Sequence, residues 1–303
     1  MIKRIINKFL DDPRLFLISI ILRIGFLLPD KIYLSLLFRL KLGHSINWNN
    51  PKSFNEKLNW LKIYERKPEY TKYVDKYDVK SLIKKVIGRE YVADVLGVWN
   101  SIDEIDFEKL PDQFVLKVNH TSGGVVVVRD KRKFDFSKYK EKFNKLLKTN
   151  YYYSLREYPY KNVKPVVFAE QFLENFGQEN LVVYKVFCFE GFPKIIQVIQ
   201  DDKQTNETID YFDCEWNLLD LKQNFPNSRN HLPKPSLLGD MLEKSKLLSQ
   251  NIPFVRVDWY IVNNILFFSE FTFYSDSGLE KFIPNKWDYI LGDYIKLPSE
   301  RNN

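Results

Sequence analysis

A chain of 303 residues can hold one large domain or two moderate ones, and at 45 % hydrophobic, led by 24 Phe and 18 Tyr, it has ample material for a core. Its 46 basic and 39 acidic residues leave a net charge of +7, which suits an anionic small molecule, an anionic polymer or a negatively charged membrane face equally well. Cys188 and Cys214, with the scattered His44, His120 and His231, exclude a disulfide framework and a histidine-built metal site and leave two structural thiols in a reducing compartment as the expectation.

In chain order, RLFLISIILRIGFLL (Arg14 to Leu28) is apolar but interrupted by Arg23, and it falls short of the ~20 residues of a spanning helix. No small-residue cleavage site follows, so a signal peptide is not expected. The segment continues as PDKIYLSLLFRLKLG, with Lys31, Arg39 and Lys41 among the apolar residues. Such a mixture suits helices lying in a membrane interface, and equally an N-terminal helical pair packed on a core. We assign residues 1–48 to this amphipathic helical segment, 49–110 to a helical or αβ portion and 111–303 to the main lobes.

NPKSFNEKLNWLKIYER (Asn50 to Arg66) reads as a turn and then a helix. Ser53 and Glu56 have capping-box spacing, and Phe54, Leu58 and Leu61 recur on one face. YVDKYDVKSLIKKVIGREY (Tyr73 to Tyr91) predicts a single amphipathic helix ending near Gly88. Its Lys76, Lys80, Lys84 and Lys85 form a solvated face in the plainest reading, while Lys76 and Lys80, one turn apart, could point together at an anion. From Val92 the texture becomes strand-like: FVLKV, GVVVVRD, VVFAEQFL, LVVYKVFCF, FPKIIQVI, FVRVDWYIV and ILFFSEFTF, broken by helical stretches near Ser137 to Lys148 and Ser236 to Ser249. Strands and helices in this proportion predict an α+β fold with mixed or antiparallel sheets.

Within FVLKVNHTSGGVVVVRD (Phe114 to Asp130), strand alternation puts Val115 and Lys117 on one face and Leu116 and Val118 on the other. A lysine on a covered sheet face is unfavourable unless an anion meets it. The following hydroxyls and glycines suit close approach to phosphate oxygens; a polar turn with a snorkelling lysine is the alternative. VRVDWYIVNNILFFSEFTFYSDSG (Val255 to Gly278) predicts a hairpin about Asn263-Asn264. Arg256 and Asp258 share one face of its first strand, Glu270 and Thr272 one face of its second, and Asp258 comes opposite roughly Glu270. Two facing carboxylates repel unless a cation joins them. Magnesium, which takes oxygen ligands and completes its shell with phosphates, is one candidate, and an ion pair from Arg256 to Asp258 or Glu270 on an exposed sheet is the other. Glu170, ending an apolar strand in VVFAEQFLEN, is an edge carboxylate that could meet an adenine amino group.

Taken together, NPKSFNEKLNWLK, VDKYDVK, FVLKVNHTSGG, YKVFCFEG and RVDWY…FFSEFTFY, which span about Asn50 to Gly278, resemble the TupA-like family of surface-polysaccharide gene clusters within the ATP-grasp fold. The resemblance implies two α+β lobes clasping ATP. It assigns nucleotide binding to Lys76, Lys117, Ser122, Gly123, Gly124, Glu170, Gln171, Leu173, Lys185 and Lys203. Lys117 and Lys76 match the phosphate lysines, Ser122 to Gly124 the flexible loop, Glu170 the acid facing adenine, and Lys203 a γ-phosphate contact. Arg256 matches the residue that stabilises the reacting oxyanion, and Asp258 and Glu270 match magnesium ligands. Thr272 stands where the wider fold commonly has asparagine. The family's D-Y-K reads Val183-Tyr184-Lys185 here, so that acid is missing, although Glu179 lies close by.

The resemblance also implies an ATP-dependent carboxylate–amine ligase with ATP and Mg2+ as its cofactors, acting on a surface polysaccharide or its precursor, for example joining a uronic acid to an amino acid or amine. The alternative is a glycosyltransferase, for which Asp213 and Glu215 of FDCEW have the spacing of a nucleotide-sugar metal pair. A non-catalytic membrane scaffold is a third class. Nucleic acid is not an expected partner, because the basic residues are dispersed. The expected location is cytoplasmic, with peripheral contact to the inner membrane face through residues 1–42.

Overall fold

Ser53 and Glu56 start a helix as their spacing requires. In the computed structural model, which describes residues 12–174, 181–201 and 206–298, the Glu56 backbone N–H donates to Ser53 Oγ at 3.2 Å. The Glu56 carboxylate accepts in return from the Ser53 N–H at 3.2 Å. The helices before and after this point are α1 (Pro13–Ile24), α2 (Asp30–Leu42), α3 (Phe54–Tyr64), α4 (Tyr70–Val74) and α5 (Val79–Val86). Tyr33, Leu34, Leu37 and Phe38 of α2 pack with Ile18 of α1, Ile46 and Leu279. No helix among the described residues is long and apolar enough to cross a membrane.

The single helix expected over Tyr73 to Tyr91 is broken instead. The Asp75 carboxylate accepts from the N–H groups of Tyr77 and Asp78 at 2.9 and 3.0 Å, ending one helix and starting the next. The Lys76 N–H reaches the Asn119 carbonyl at 3.0 Å. Lys76 therefore stands at a junction and shares no helical face with Lys80. Nor is Lys80 solvated; it is buried.

The first sheet contains β1 (Val95–Trp99), β2 (Phe114–Val118), β3 (Val125–Val128) and β4 (Val167–Gln171) in the order β1-β4-β2-β3. The second contains β5 (Val183–Phe189), β6 (Phe192–Gln200), β7 (Thr208–Phe212), β8 (Val255–Val262) and β9 (Ile265–Thr272) in the order β7-β6-β5-β8-β9. Every pairing is antiparallel, so the α+β expectation is met. β1 and β7 are strands beyond the seven that the sequence pattern predicts. Glu170 was expected on an edge, but β4 lies inside its sheet, between β1 and β2.

The remaining helices are α6 (Ser137–Leu147), α7 (Tyr152–Leu155), α8 (Leu238–Leu248) and α9 (Lys286–Tyr294). Leu116 and Val118 turn to a core shared with Phe143 of α6, each such side chain contributing about 1.5–3 kcal/mol. In the second sheet Val257 and Trp259 face α8, where the Trp259 indole N–H donates to Ser245 Oγ at 2.8 Å. Alternation then turns Lys117 of the first sheet and Arg256 and Asp258 of the second away from these cores, toward the space between the sheets.

Candidate functional site

Lys117 and Glu170 share a face because their strands pair in register, Lys117 opposite Phe168 and Val115 opposite Glu170. The Lys117 ammonium contacts one Glu170 oxygen, and the Lys80 ammonium contacts the other at 2.8 Å. Burial works against the Lys117 charge, but Glu170, Tyr260 and Glu270 outweigh it and lift its pKa above the ordinary lysine value. Burial likewise opposes the Glu170 carboxylate, and Lys117 and Lys80 reverse this, holding it below the usual range. Lys80 itself is pulled down by burial, which Glu170 only partly offsets; its distance to Glu170 is that of an ion pair.

Across the cleft, register aligns Lys185 with Asp258 and Asp258 with Glu270. The pairing inferred from the Asn263-Asn264 hairpin is therefore observed, and a bulge after Asp258 absorbs one residue of the opposing strand. The two acids are met by protein cations. Arg256 grips Asp258 bidentately, Nε to Oδ1 and Nη2 to Oδ2, both at 2.8 Å. Arg256 also donates to Thr272 Oγ1 at 3.1 Å and Ser275 Oγ at 3.2 Å. This ion pair is buried rather than on an exposed sheet. Glu270 takes the ammonium of Lys76. Burial would raise the Glu270 pKa, but Lys76 and then Arg256 bring it down to about 2. For Arg256, burial is outweighed by Asp258, so its pKa lies above the ordinary arginine value.

Among the described residues no group of three or more His, Cys, Asp and Glu could hold a metal. What stands here is a pair of carboxylates on neighbouring strands beside a hydroxyl, all oxygen donors. That set fits magnesium, which takes one or two carboxylates and completes its shell with water and phosphate; it does not fit a metal that needs an all-protein cage. Asp258 and Glu270 would be the ligands, with the Thr272 hydroxyl beside them; Asp258 and Thr272 now accept from Arg256, and Glu270 pairs with Lys76.

Between the sheets lies a cavity of about 480 Å³, within the size range of small-molecule sites. Lys76, Lys117, Ser122, Gly123, Glu170, Lys185, Arg256, Asp258, Glu270 and Thr272 all line it. Gly124, Gln171 and Leu173 do not. Gly123 has φ +80° and faces open space, whereas a Cβ on Gly124 would come within 2.1 Å of Val118. One glycine thus permits the turn, and the other lets it lie close on β2. Lys203 and Glu179 fall outside the described residues.

Other lining groups were not anticipated: Tyr151, Glu157, Tyr160, Tyr274, Asp276 and Ser277. Asp276, Ser277 and Gly278 form a left-handed turn with φ of +47°, +54° and +60°. Two polar side chains of α3 hold it in place. Asn59 Nδ2 donates to the Gly278 carbonyl and Lys62 Nζ to the Ser277 carbonyl, each at 2.8 Å. Ser277 Oγ donates to the buried Glu157. Burial drives this acid–base pair toward neutrality, raising Glu157 and lowering Lys62 to about 8. Backbone strain of this kind persists only where the surroundings over-determine it. A polar residue on a helix that otherwise faces a core was the one available signal, and Asn55, Asn59 and Lys62 carry it.

The Asp213–Glu215 pair lies outside the cavity lining. Asp213 Oδ1 accepts from the N–H groups of Glu215 and Asn217 at 3.0 and 2.8 Å, and Oδ2 accepts from the Asn217 amide at 2.8 Å. Its carboxylate closes a turn.

A family model described as TupA-like ATPgrasp matches residues 56–296. No curated protein matches the sequence. Among solved structures, D-alanine–D-alanine ligase from Helicobacter pylori is 18 % identical, with a TM-score of 0.40 over 80 % of this chain and 69 % of that one. The ATP complex of D-alanine–D-alanine ligase from Bacillus anthracis is 16 % identical, with a TM-score of 0.38 over 66 % of this chain and 55 % of that one. Phosphoribosylamine–glycine ligase from Thermotoga maritima is 14 % identical, with a TM-score of 0.36 over 67 % and 48 %. This chain spans about half to two-thirds of the length of these ligases.

Proposed function

This chain belongs to the TupA-like ATP-grasp family, and from that premise we propose that it is an ATP-dependent ligase joining a carboxylate to an amine. One observation carries the reading: Lys117, Lys76, Lys185 and Arg256 converge with Asp258 and Glu270 on a single cavity between two antiparallel sheets. Such a cluster of opposed charges suits a triphosphate better than an apolar ligand.

In the proposed reaction a carboxylate oxygen of the acceptor attacks the γ-phosphorus of ATP, the bond to ADP breaks, and an acyl phosphate forms. The amine nitrogen then attacks the acyl carbon, a C–N bond replaces the C–O bond, phosphate leaves and the nitrogen loses a proton. No protein nucleophile is needed. Lys117 and Lys76 neutralise phosphate oxygens, and Ser122 and Gly123 lie where a loop can close over them. Arg256, oriented by Asp258, Thr272 and Ser275, faces the negative charge that develops on the transferred group. Magnesium held by Asp258 and Glu270 would supply further charge neutralisation on the phosphates. Glu170 and Lys185 border the nucleotide end, and the contacts assigned to Gln171, Leu173, Gly124 and Lys203 belong to the same proposal. For the acceptor we propose a surface polysaccharide or its precursor, a uronic acid being amidated by an amino acid or amine.

The test is ADP release by the purified chain with ATP, magnesium, a uronate and mixed amines. ATP bound without ADP release under any carboxylate–amine combination would overturn the ligase reading. Protection against heat by a UDP-sugar instead of ATP would favour the glycosyltransferase.

A further inference from the structure

We propose that α1, the Gly25–Leu27 turn and α2 form a docking surface for an anionic membrane, on which the protein lies without crossing the bilayer. Eight large apolar side chains between Leu15 and Leu36 are exposed, among them Leu15 at 61 %, Phe26 at 63 % and Leu27 at 72 %. This is the densest run of exposed apolar side chains among the described residues. In α1, PRLFLISIILRI is apolar nearly all round, yet Ile18 is its one buried residue. A helix of that composition ordinarily has its whole circumference covered, and an exposed apolar patch of this kind marks an interaction surface.

Charge decides what covers it. Arg14, Arg23 and Arg39 are exposed on the same two helices, and no carboxylate of the described residues forms an ion pair with them. From Pro13 to Leu42 the one acidic residue is Asp30, which is held by Arg66 at 2.6 Å and Arg156 at 2.7 Å. A second copy docked face to face would bring these arginines against each other. An anionic lipid surface instead meets apolar and basic groups together, as interfacial helices require.

One helix, α2, runs from the surface to the cleft. Ile32 is exposed near the start of α2, and Lys41 near its end lines the cavity and pairs with Glu280 at 3.6 Å. At 1.5 Å per residue those positions lie about 14 Å apart. Docking would therefore hold the cleft close to the lipid headgroups.

Co-sedimentation of the full chain tests this, using vesicles of phosphatidylcholine alone and vesicles with one-third phosphatidylglycerol. Binding to the anionic vesicles is expected to be at least about tenfold stronger and to weaken with salt. The Phe26→Ser/Leu27→Ser variant should lose binding to both. Arg14→Gln/Arg23→Gln/Arg39→Gln should bind anionic vesicles no better than neutral ones. All of these side chains are exposed, so circular dichroism and melting should match the parent chain, a readout independent of any activity. No sedimentation with either vesicle would overturn the proposal. So would a dimer in analytical ultracentrifugation that Phe26→Ser/Leu27→Ser dissociates, since a second copy would then be the occupant.

Discussion

The two faces of the cleft are charged by opposite arrangements. On the first sheet one carboxylate, Glu170, sits between Lys117 and Lys80, so that face carries a surplus positive charge. On the second, Asp258 and Glu270 stand side by side, and each needs a cation of its own. Arg256 belongs to the same sheet as Asp258, whereas Lys76 arrives from the junction between α4 and α5. The first face is thus ready for an anion as it stands. On the second, Lys76 is the ion-pair partner of Glu270, with Lys185 of β5 as a further positive charge acting on it. On the proposed reading a phosphate that draws Lys76 away leaves Glu270 requiring a replacement cation, which gives a physical reason for magnesium on this face and not on the other.

Removing one cation from each face should break this comparison most clearly. Arg256→Ala strands Asp258, which is 1 % exposed, and uncompensated buried charges of this kind cost about 3–5 kcal/mol. On the proposed reading the oxyanion contact is lost as well, and ADP release should fall by roughly a hundredfold or more. Lys117→Ala should behave differently, because Glu170 keeps Lys80. We expect a loss of about 1–2 kcal/mol in urea unfolding, while ATP no longer raises the melting temperature. If both variants unfold equally easily, the two faces are not built differently and the comparison fails.

Acid titration sharpens the contrast on the second face. Glu270 is held at about 2 in the folded protein, below its ordinary value of about 4.3. Its folded-state pKa is depressed, so its contribution to stability is complete above the unfolded value and is lost as pH falls from there toward about 2. Glu270→Gln should flatten that part of the curve of urea midpoint against pH. An acid limb identical in parent and variant would show that Lys76 does not stabilise the ionised carboxylate.

Why some of this was legible and some not follows from the distance over which each feature is determined. Asn263 and Asn264 both adopt positive φ, +50° and +60°, which two-residue hairpin turns require, so neighbouring residues bring Asp258 to within one residue of Glu270, and the bulge between Asp258 and Trp259 completes the pairing. Lys117 was read the same way, from alternation within five residues. The break at Lys76 has a local cause in the Asp75 cap. Its anchor on the Asn119 carbonyl, like the burial of Lys80 against Glu170, comes from residues far along the chain that a local pattern does not contain. β1 pairs with β4 through a register shift near Gly97, which interrupts the alternation that identifies a strand. Asp210 similarly breaks β7, buried where it accepts from the Ser228 N–H at 3.0 Å and meets the ring of His231.

The smallest effect is expected at Asp213, and it tests whether nucleotide chemistry is confined to the space between the faces. Its carboxylate accepts three hydrogen bonds within the turn to Asn217. Asp213→Ala should therefore cost about 1 kcal/mol in an exposed loop and leave heat protection by ATP unchanged. A metal-bound nucleotide-sugar at Asp213 and Glu215 demands the opposite, since loss of one of two acids would abolish its binding while barely altering the fold. Melting curves of parent and variant with ATP, and with a UDP-sugar, separate the two. If Asp213→Ala abolishes protection by the UDP-sugar in a protein that ATP never protects, the charge asymmetry of the cleft serves structure alone and the catalytic centre lies at the turn.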